Sequence, residues 1–588
     1  MERIINYIKE HTWIDVLLIV IVMIVFALLF GTHVFDLFTD RGREFLLPET
    51  ILNGAVPYKD ITLIYFPLAY YINALIYKVL GVSIYSLMTT QFFVCTFLIV
   101  GFYFLAREFL NRKISLILTL FILSSCIFSV VDLFSFFLPY SFAMLYGIAG
   151  TWICVFCLIK LFKTDNMKYA YVATFAGGFA LACKLEFYIA PILITFALFF
   201  YKRLELKQYL KLFLTFMIFP VITLAVLFIH GMTLENLKDA IAFGKAFAST
   251  SSMKDFLTTV GMYPLNYGPA KIREMVINTM NLVQIIFFAI ITLALYKKFK
   301  FVLILPVAIY LIYNYSYDYT NLFYYWVIFP LFLVIFICIN FKEVKRLEPT
   351  VLLLILASFL LCQRTFFHLS LRLYGTYGLP FILLAFCVIL DKLGPKISFG
   401  VKTENIISLV LATLICLYTG GLTFARTLKA YPVKSSKGTL YTTYISSDIT
   451  NTVVNFVKFV ADKDDAVLML QEGSIINFLS DRKADMHSFM IDRLYYDALG
   501  DDKAMELIKQ GNYKYLMLSD IDVSGFERTY LYERDANRFV MYIYENYKPL
   551  MLVRGDKEAR VIIMKKMTPE EKKQLVSVEE NFPPEAHF

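Results

Sequence analysis

The run "DVLLIVIVMIVFALLFG", Asp15 to Gly31, limits this chain more than any other feature, because its only charge is the opening aspartate. About twenty apolar residues wound as a helix cross the roughly 30 Å of a bilayer core. Similar runs recur along most of the 588 residues, which are 59% hydrophobic and only 18% charged. A soluble domain carries about a quarter charged residues. The pattern therefore predicts a polytopic integral membrane protein. The first run, Trp13 to about Gly31, is expected to stay as a helix, since no small-x-small cleavage site separates it from the acidic stretch that follows.

Candidate spans fall near 13–32, 85–106, 114–131, 139–162, 168–183, 186–201, 210–230, 277–296, 301–316, 322–340, 349–363, 371–390 and 404–425, about thirteen in all. The short pair 168–183 and 186–201 could be one broken element, giving twelve. Alternate connections are basic: "REFLNRK", "KLFKTDNMK", "YKRLELKQYLK", "KKFK", "FKEVKRLE" and "DKLGPK". Because basic loops stay in the cytoplasm, the N-terminus is expected inside, with the loop at 34–84 and the chain after the last span outside. The alternation holds through every crossing only with thirteen. The net charge of +9 is then explained by inner loops, and no nucleic-acid partner is implied.

Nine cysteines all lie in or beside apolar runs, none beyond Cys416. Cys154 and Cys157 form a C-x-x-C inside an apolar helix with no further ligand type nearby, which favours packing over redox chemistry or zinc. From residue 429 the composition changes. From Ala430 onward 21 Lys and Arg face 25 Asp and Glu, leaving about +13 on the membrane part. "DDAVLMLQEGSIINFLSDR" reads as strand, turn and helix start. "YKYLMLSD", "RFVMYIYENY" and "ARVIIMKK" read as further strands, and "DDKAMELIKQG" as a helix capped by Gly511. The expected organisation is a transmembrane domain over 1–428 and a small extracytoplasmic α/β domain over 429–588. No Walker A loop, G-x-G-x-x-G turn, G-x-S-x-G elbow or H-E-x-x-H helix occurs, which counts against ATP-driven transport and zinc proteolysis.

Chemistry has to come from the outer side, and the first loop stands out. Asp36, Asp40 and Glu44 are four apart, so on a helix they share a face. Pro48, Gly54 and Pro57 are expected to break the chain before "YKDITLIYFPLAYYINALIYKVLG" resumes an amphipathic pattern. Either the acids merely face water from an interfacial helix, or they form a general-base site at the membrane surface.

The stretch "DRGREFLLPETILNGAVPYKDITLIYFPLAYYINALIYKVLG", Asp40 to Gly81, resembles the first outer loop of the bacterial GT-C glycosyltransferases. These membrane-embedded enzymes are related to protein O-mannosyltransferases and to the aminoarabinose transferase of lipid A. The span count, "ACKLEFYIAP", "RTFFHLSLRLYGTYGLP" and the opening of the C-terminal domain fit the resemblance, although only the first loop is specific. It implies a GT-C-like fold and transfer of a sugar, hexosyl or pentosyl, from a polyprenyl-phosphate donor to a glycan, lipid or protein acceptor on the outer face of the plasma membrane, with inversion. On that pattern Asp40 is the base, with Glu44 and Asp36 behind it. Many relatives have Asp-Glu adjacent, whereas Arg41 follows Asp40 here, which leaves Asp40 and Glu44 both open. A second carboxylate is expected at Asp132.

A carrier phosphate needs cations at the outer interface. Lys184, Arg364, Arg372 and Lys59 sit at expected outer corners, where basic residues run against the positive-inside rule. Arg43, Asp60, Glu186 and His368 are further candidates. His33, His230 and His368 end spans on that side, but they are far apart in sequence; no cofactor is required, and a divalent metal is left open. A transporter or flippase of lipid-linked glycans, an O-antigen polymerase or ligase, and a binding protein without activity are the competing classes. The chain shows no internal repeat of the transporter kind, and its marked loop is the first rather than a late one.

Overall fold

The computed structural model describes residues 12–34, 37–38, 40–128, 135–201, 204–259, 328–362, 377–393, 428, 430–470, 473–489, 491–519, 538–554 and 560–573. The first helix, α1 (Thr12–Phe30), buries Asp15, Ile19, Met23, Phe26 and Phe30, a spacing of three and four that makes one face. Its other face exposes Leu17, Leu18, Ile21, Ile24, Val25 and Leu28. A helix apolar on both faces, with one of them unpacked, is suited to lipid. By length and composition α1, α4 (Ile84–Arg107), α6 (Phe142–Thr164) and α9 (Leu206–Ile229) can each cross a membrane.

Shorter helices fill out the bundle. They are α5 (Arg112–Ile122), α7 (Met167–Cys183), α8 (Ile189–Tyr201), α12 (Ile328–Ile339), α13 (Pro349–Leu361) and α14 (Leu379–Leu393). Residues 168–183 and 186–201 form two helices, α7 and α8, separated by a tight turn at Leu185–Tyr188. The expected spans 277–296, 301–316 and 404–425 lie outside the described residues, as do parts of 322–340 and 371–390. α6 is the central helix, with Cys154 and Cys157 as buried free thiols packed in it. At the start of α1, Asp15 is gripped by Arg112, whose Nε and Nη2 lie 2.5 and 2.7 Å from its two oxygens, and by the Tyr103 hydroxyl at 2.5 Å.

The loop after α1 holds two helices, α2 (Arg41–Leu52) and α3 (Leu68–Leu80). Two expectations need correction. Pro48 does not break the chain but sits inside α2, where its missing N–H costs only the bond to Glu44 O. Nor do Asp40 and Glu44 share a helical face. Asp40 is the residue before α2, in the left-handed region (φ 60°), a conformation Asp tolerates better than most. The turn ahead of α2 therefore directs its carboxylate to Arg43, one turn on, rather than along the face of Glu44. The amphipathic stretch does form a helix: α3 buries Ala69, Tyr70, Asn73, Ala74 and Tyr77.

The C-terminal domain opens with a hairpin, β1 (Tyr431–Ser435) and β2 (Gly438–Thr442), followed by α15 (Tyr444–Val460). A four-stranded sheet of order β3-β4-β6-β5 follows, built from β3 (Val467–Leu470), β4 (Tyr515–Ser519), β5 (Tyr547–Arg554) and β6 (Arg560–Lys566). β3 and β4 are parallel, and the other pairs are antiparallel. The crossover from β3 to β4 carries α16 (Ser474–Ser480) and α17 (Arg493–Gly511). The stretch read as the strand "RFVMYIYENY" is instead helix α18 (Arg538–Asn546) running into β5. Its buried residues are Phe539, Val540 and Ile543, a helical spacing hidden by the nearly continuous apolar and aromatic run. Nor does Gly511 cap α17; the left-handed residue that ends it is Asn512 (φ 44°), since Asn also adopts that conformation.

This domain packs directly on the first loop. Tyr441 exchanges backbone hydrogen bonds with Thr32 and Val34 at 2.9 and 2.8 Å, and the His33 ring stacks on its ring. The Thr62 N–H donates to Met486 O at 3.1 Å. Phe45 stacks on Phe478 with centroids 5.3 Å apart. Lys437, at the hairpin turn, donates to both Glu49 oxygens at 2.6 and 2.7 Å and lies 3.3 Å from Asp481. Gly42 makes the approach possible, because a Cβ there would sit 2.0 Å from the Ile475 backbone nitrogen. The first loop is thus held between bundle and domain.

Candidate active site

The sequence puts one cation between two acids at the start of α2, and folding buries that cation almost completely. Arg43 is 1% exposed. Its Nη1 lies 2.5 Å from Asp40 Oδ1, its Nε donates to Glu44 Oε1 at 3.2 Å, and its guanidinium stacks 4.3 Å above the Tyr65 ring. Its Nη2 is buried and donates to no partner among the described residues. Burial pulls its pKa down, yet Asp40, Tyr65, Tyr70 and Glu44 together hold it well above the usual arginine value.

The two acids are used differently. Glu44 accepts from Arg43 and from the Tyr70 hydroxyl at 3.0 Å on Oε1, and from the Phe142 N–H at 2.7 Å on Oε2. Its side chain is 2% exposed. Burial pushes its carboxyl up from the ordinary glutamate value, opposed by Arg43, the Phe142 N–H and Tyr70. Phe142 begins α6, so Glu44 also caps the orphan N–H groups and positive end of the central helix. Asp40 keeps 19% of its side chain exposed. Of the two acids it is the one a ligand can reach.

Residues 138–142 tie a second cation to this centre. Leu138 O accepts from Arg41 at 2.8 Å, the Tyr140 hydroxyl accepts from Lys184 at 2.6 Å, and Phe142 N–H reaches Glu44. Lys184 ends α7 in extended backbone and is buried, 3.2 Å from Glu186 Oε1. The chain therefore brings Asp40, Arg43 and Glu44 together and places Lys184 with Glu186 one short segment away. Lys59 is exposed, facing Gly231, and Asp60 closes its own turn by accepting the Val56 N–H at 2.9 Å. His230 bonds the Tyr71 hydroxyl at 3.1 Å. Asp36, Asp132, Arg364, His368 and Arg372 lie outside the described residues. Among the described residues no group of three or more His, Cys, Asp or Glu is placed to share a metal ion.

Sequence reasoning missed three members of this neighbourhood. Tyr65 and Tyr70 fall inside the quoted first-loop stretch, so a signal existed for both. The third is Asp492, which precedes α17 in the C-terminal domain and whose carboxyl feels the charges of Asp40 and Arg43. Burial is the largest influence on it and, with Asp40, pushes its pKa up to about 7 against the Tyr495 and Leu494 N–H groups and Arg43.

Solved structures are similar to this chain. The oligosaccharyltransferase of Archaeoglobus fulgidus, in complex with Zn and sulfate, matches 86% of the chain and 68% of its own at 13% identity, with a TM-score of 0.42. ArnT from Cupriavidus metallidurans bound to undecaprenyl phosphate matches 94% of the chain and 98% of its own at 12% identity and TM-score 0.43. The same protein in the apo state gives 93%, 97%, 12% and 0.48. No protein-family model and no curated protein matches the sequence. TM-scores this low leave the chemistry to be argued from the residues themselves.

Proposed function

We propose that the chain is an integral membrane glycosyltransferase that moves a sugar from a polyprenyl-phosphate donor to an outer-face acceptor, with Asp40 as general base. The observation that carries this reading is the unequal use of the two motif acids: Glu44 is sealed into the scaffold, while Asp40 is held by Arg43 and still reachable. Asp40 takes the proton from the acceptor hydroxyl or amine as that atom attacks the anomeric carbon. The bond from that carbon to the phosphate oxygen breaks, its electron pair leaving with the phosphate, and the configuration inverts. Lys184, with its ammonium on Tyr140 beside the start of α6, is placed to offset the charge of the leaving phosphate.

Contact between the first loop and the C-terminal domain supports reading both on one side of the membrane. An even number of crossings would then separate them, which favours thirteen spans. The extracytoplasmic side fits the basic connections opposite, and a reporter fused after Lys437 should read outside. The deciding assay is release of polyprenyl phosphate from a panel of polyprenyl-phosphate hexoses and pentoses. Asp40→Asn should keep expression and donor binding and lose about 10²–10⁴ in rate. Full turnover in Asp40→Asn removes Asp40 from the role, and activity in Glu44→Gln as well as Asp40→Asn removes the glycosyltransferase reading.

A further inference from the structure

α6 carries more of the site than the N–H that meets Glu44. Further along the same helix, Gly147 leaves a notch in the surface, and the Phe187 ring fills it. A Cβ on Gly147 would lie 2.0 Å from the nearest carbon of that ring, far inside the roughly 3.5–4.0 Å at which carbon atoms touch. A side chain there and the ring exclude each other. Phe187 is buried, although Leu185 and Tyr188 of the same short turn are exposed. Its N–H donates to Lys184 O at 3.0 Å, and the Lys184 N–H donates to Ala180 O at 3.2 Å, so the lysine backbone is set from both sides. The far end of Lys184 meets the same helix start, where its Nζ donates to the Tyr140 hydroxyl at 2.6 Å, just ahead of α6.

The helix behind this turn has little room to slide. α7 lies against α6 at Gly150, where a Cβ would meet Ala176 O at 2.7 Å, and against α9 at Gly178, where one would strike Phe216 O. Close backbone approach at small residues is how helices pack in lipid. Beyond α9, α10 (Leu234–Ser249) and α11 (Ser251–Thr259) rest on α17 of the C-terminal domain, with the Phe247 ring 5.1 Å from that of Tyr495.

We infer that Phe187 is a positioning residue: keyed into Gly147, it holds the Lys184 ammonium at a fixed place relative to the Glu44 end of α6. This rests on Lys184 serving the leaving phosphate. Glu44 grips the Arg43 that holds Asp40. Glu44 and Lys184 are far apart in sequence, yet both are referenced to the start of α6, one through the Phe142 N–H and the other through Tyr140 and Gly147. A base and a counter-charge act on one substrate only while their separation is kept, and a misplacement of about 1 Å can cost about a hundredfold. Without the ring the turn loses its seat, and Tyr140 alone has to hold the ammonium.

Phe187→Leu and Phe187→Ala test this in the full chain in nanodiscs, beside Phe102→Leu as a control. Phe102 is equally buried and packs on Trp152 of α6, so its loss costs packing without touching the turn. Amine-reactive labelling read by mass spectrometry needs no substrate. Lys184, 7% exposed, should label slowly in wild type and in Phe102→Leu, and severalfold faster in Phe187→Leu. Gly147→Ala should behave as Phe187→Leu does. Affinity for undecaprenyl phosphate should fall about tenfold in Phe187→Ala, the loss of one charge-assisted contact. Adding Phe187→Ala to Lys184→Ala should change nothing more, because a residue that acts only through Lys184 has nothing left to position. Wild-type labelling in Phe187→Leu, or losses that multiply in the double variant, overturn the inference. If Lys184→Ala binds undecaprenyl phosphate as wild type does, the role of Lys184 in the proposed reaction fails instead, and the labelling still decides whether Phe187 holds it.

Discussion

Two arginine–carboxylate clusters lie at different places in this molecule, and they are built on different arithmetic. At the start of α1, Arg112 meets Asp15 through two parallel hydrogen bonds, and Tyr103 adds a third to the same carboxylate. The fork of one side chain matches the two oxygens of the other, as in a latch. At the start of α2, Arg43 is divided between Asp40 and Glu44, and its Nη2 has no acceptor among the described residues. A buried polar group without a partner costs stability, and such costs persist where function needs them. The first cluster is satisfied fork to fork; the second divides one arginine between two acids.

The largest test of that contrast is to remove each arginine. Arg43→Met strands acidic groups in a buried site and should lower stability by about 3–5 kcal/mol, with transfer lost. Arg112→Met affects a pair whose arginine is 22% exposed, so about 1–2 kcal/mol is expected. Transfer per folded molecule should not change. Adding Asp15→Leu to Arg112→Met should recover the stability, since a pair replaced whole by apolar groups is often neutral. No second single change should recover Arg43→Met. Thermal unfolding in detergent beside the release assay measures all of these, and equal behaviour of the two arginines would erase the distinction.

A smaller effect separates two glycines. Gly42 faces the α16 backbone, and a Cβ there would meet Ile475 N at 2.0 Å and Ser474 Oγ at 2.4 Å. Gly101 in α4 has nothing within 4 Å of the same position. Gly42→Ala should cost about 1–3 kcal/mol through overpacking and open the seam between loop and domain to limited proteolysis. Gly101→Ala should be neutral or stabilising by up to ~1 kcal/mol. Equal proteolysis of the two variants would mean that Gly42 is not what lets the domain dock.

How much of this could be read in advance followed the range of the interaction. The spans that can be compared, α1 and α4 to α9 among them, were legible because lipid-facing helices repeat one strong signal. β3, β4 and β6 were legible as short buried runs. α18 was not, because a run apolar at almost every position fits period two as well as 3.6. Pro48 read as a break because local rules see its missing N–H but not the packing that tolerates it. In the candidate site, the residues from Asp40 to Glu44 drew attention as a motif, and Lys184 by falling at an expected outer corner, where bases run against the positive-inside rule. That Glu44 caps α6 through Phe142 is a contact between distant segments, which no local pattern encodes. Asp492 had no signal beyond a helix start, and only the docked domain brings it to Asp40.

The smallest expected effect is on stability, and its sign follows from the charge that Asp492 carries. In the unfolded chain an aspartate titrates near 3.9. In the fold, burial and Asp40 hold Asp492 to about 7. The folded state therefore keeps a proton that the unfolded state has already released. Stability from this group is complete below about pH 4, declines as pH rises, and is gone once pH passes 7. Asp492→Asn removes the ionised form while keeping the cap to Tyr495 N. The variant should therefore melt higher than wild type at pH 8, by less at pH 6, and at the same temperature near pH 4. Asp15→Asn gives the opposite sign, because it removes half of a satisfied pair and should melt lower than wild type at pH 8. A constant offset for Asp492→Asn across this range would mean that the carboxylate is ordinary and that Arg43 already neutralises it, which would bring the second cluster back to the design of the first.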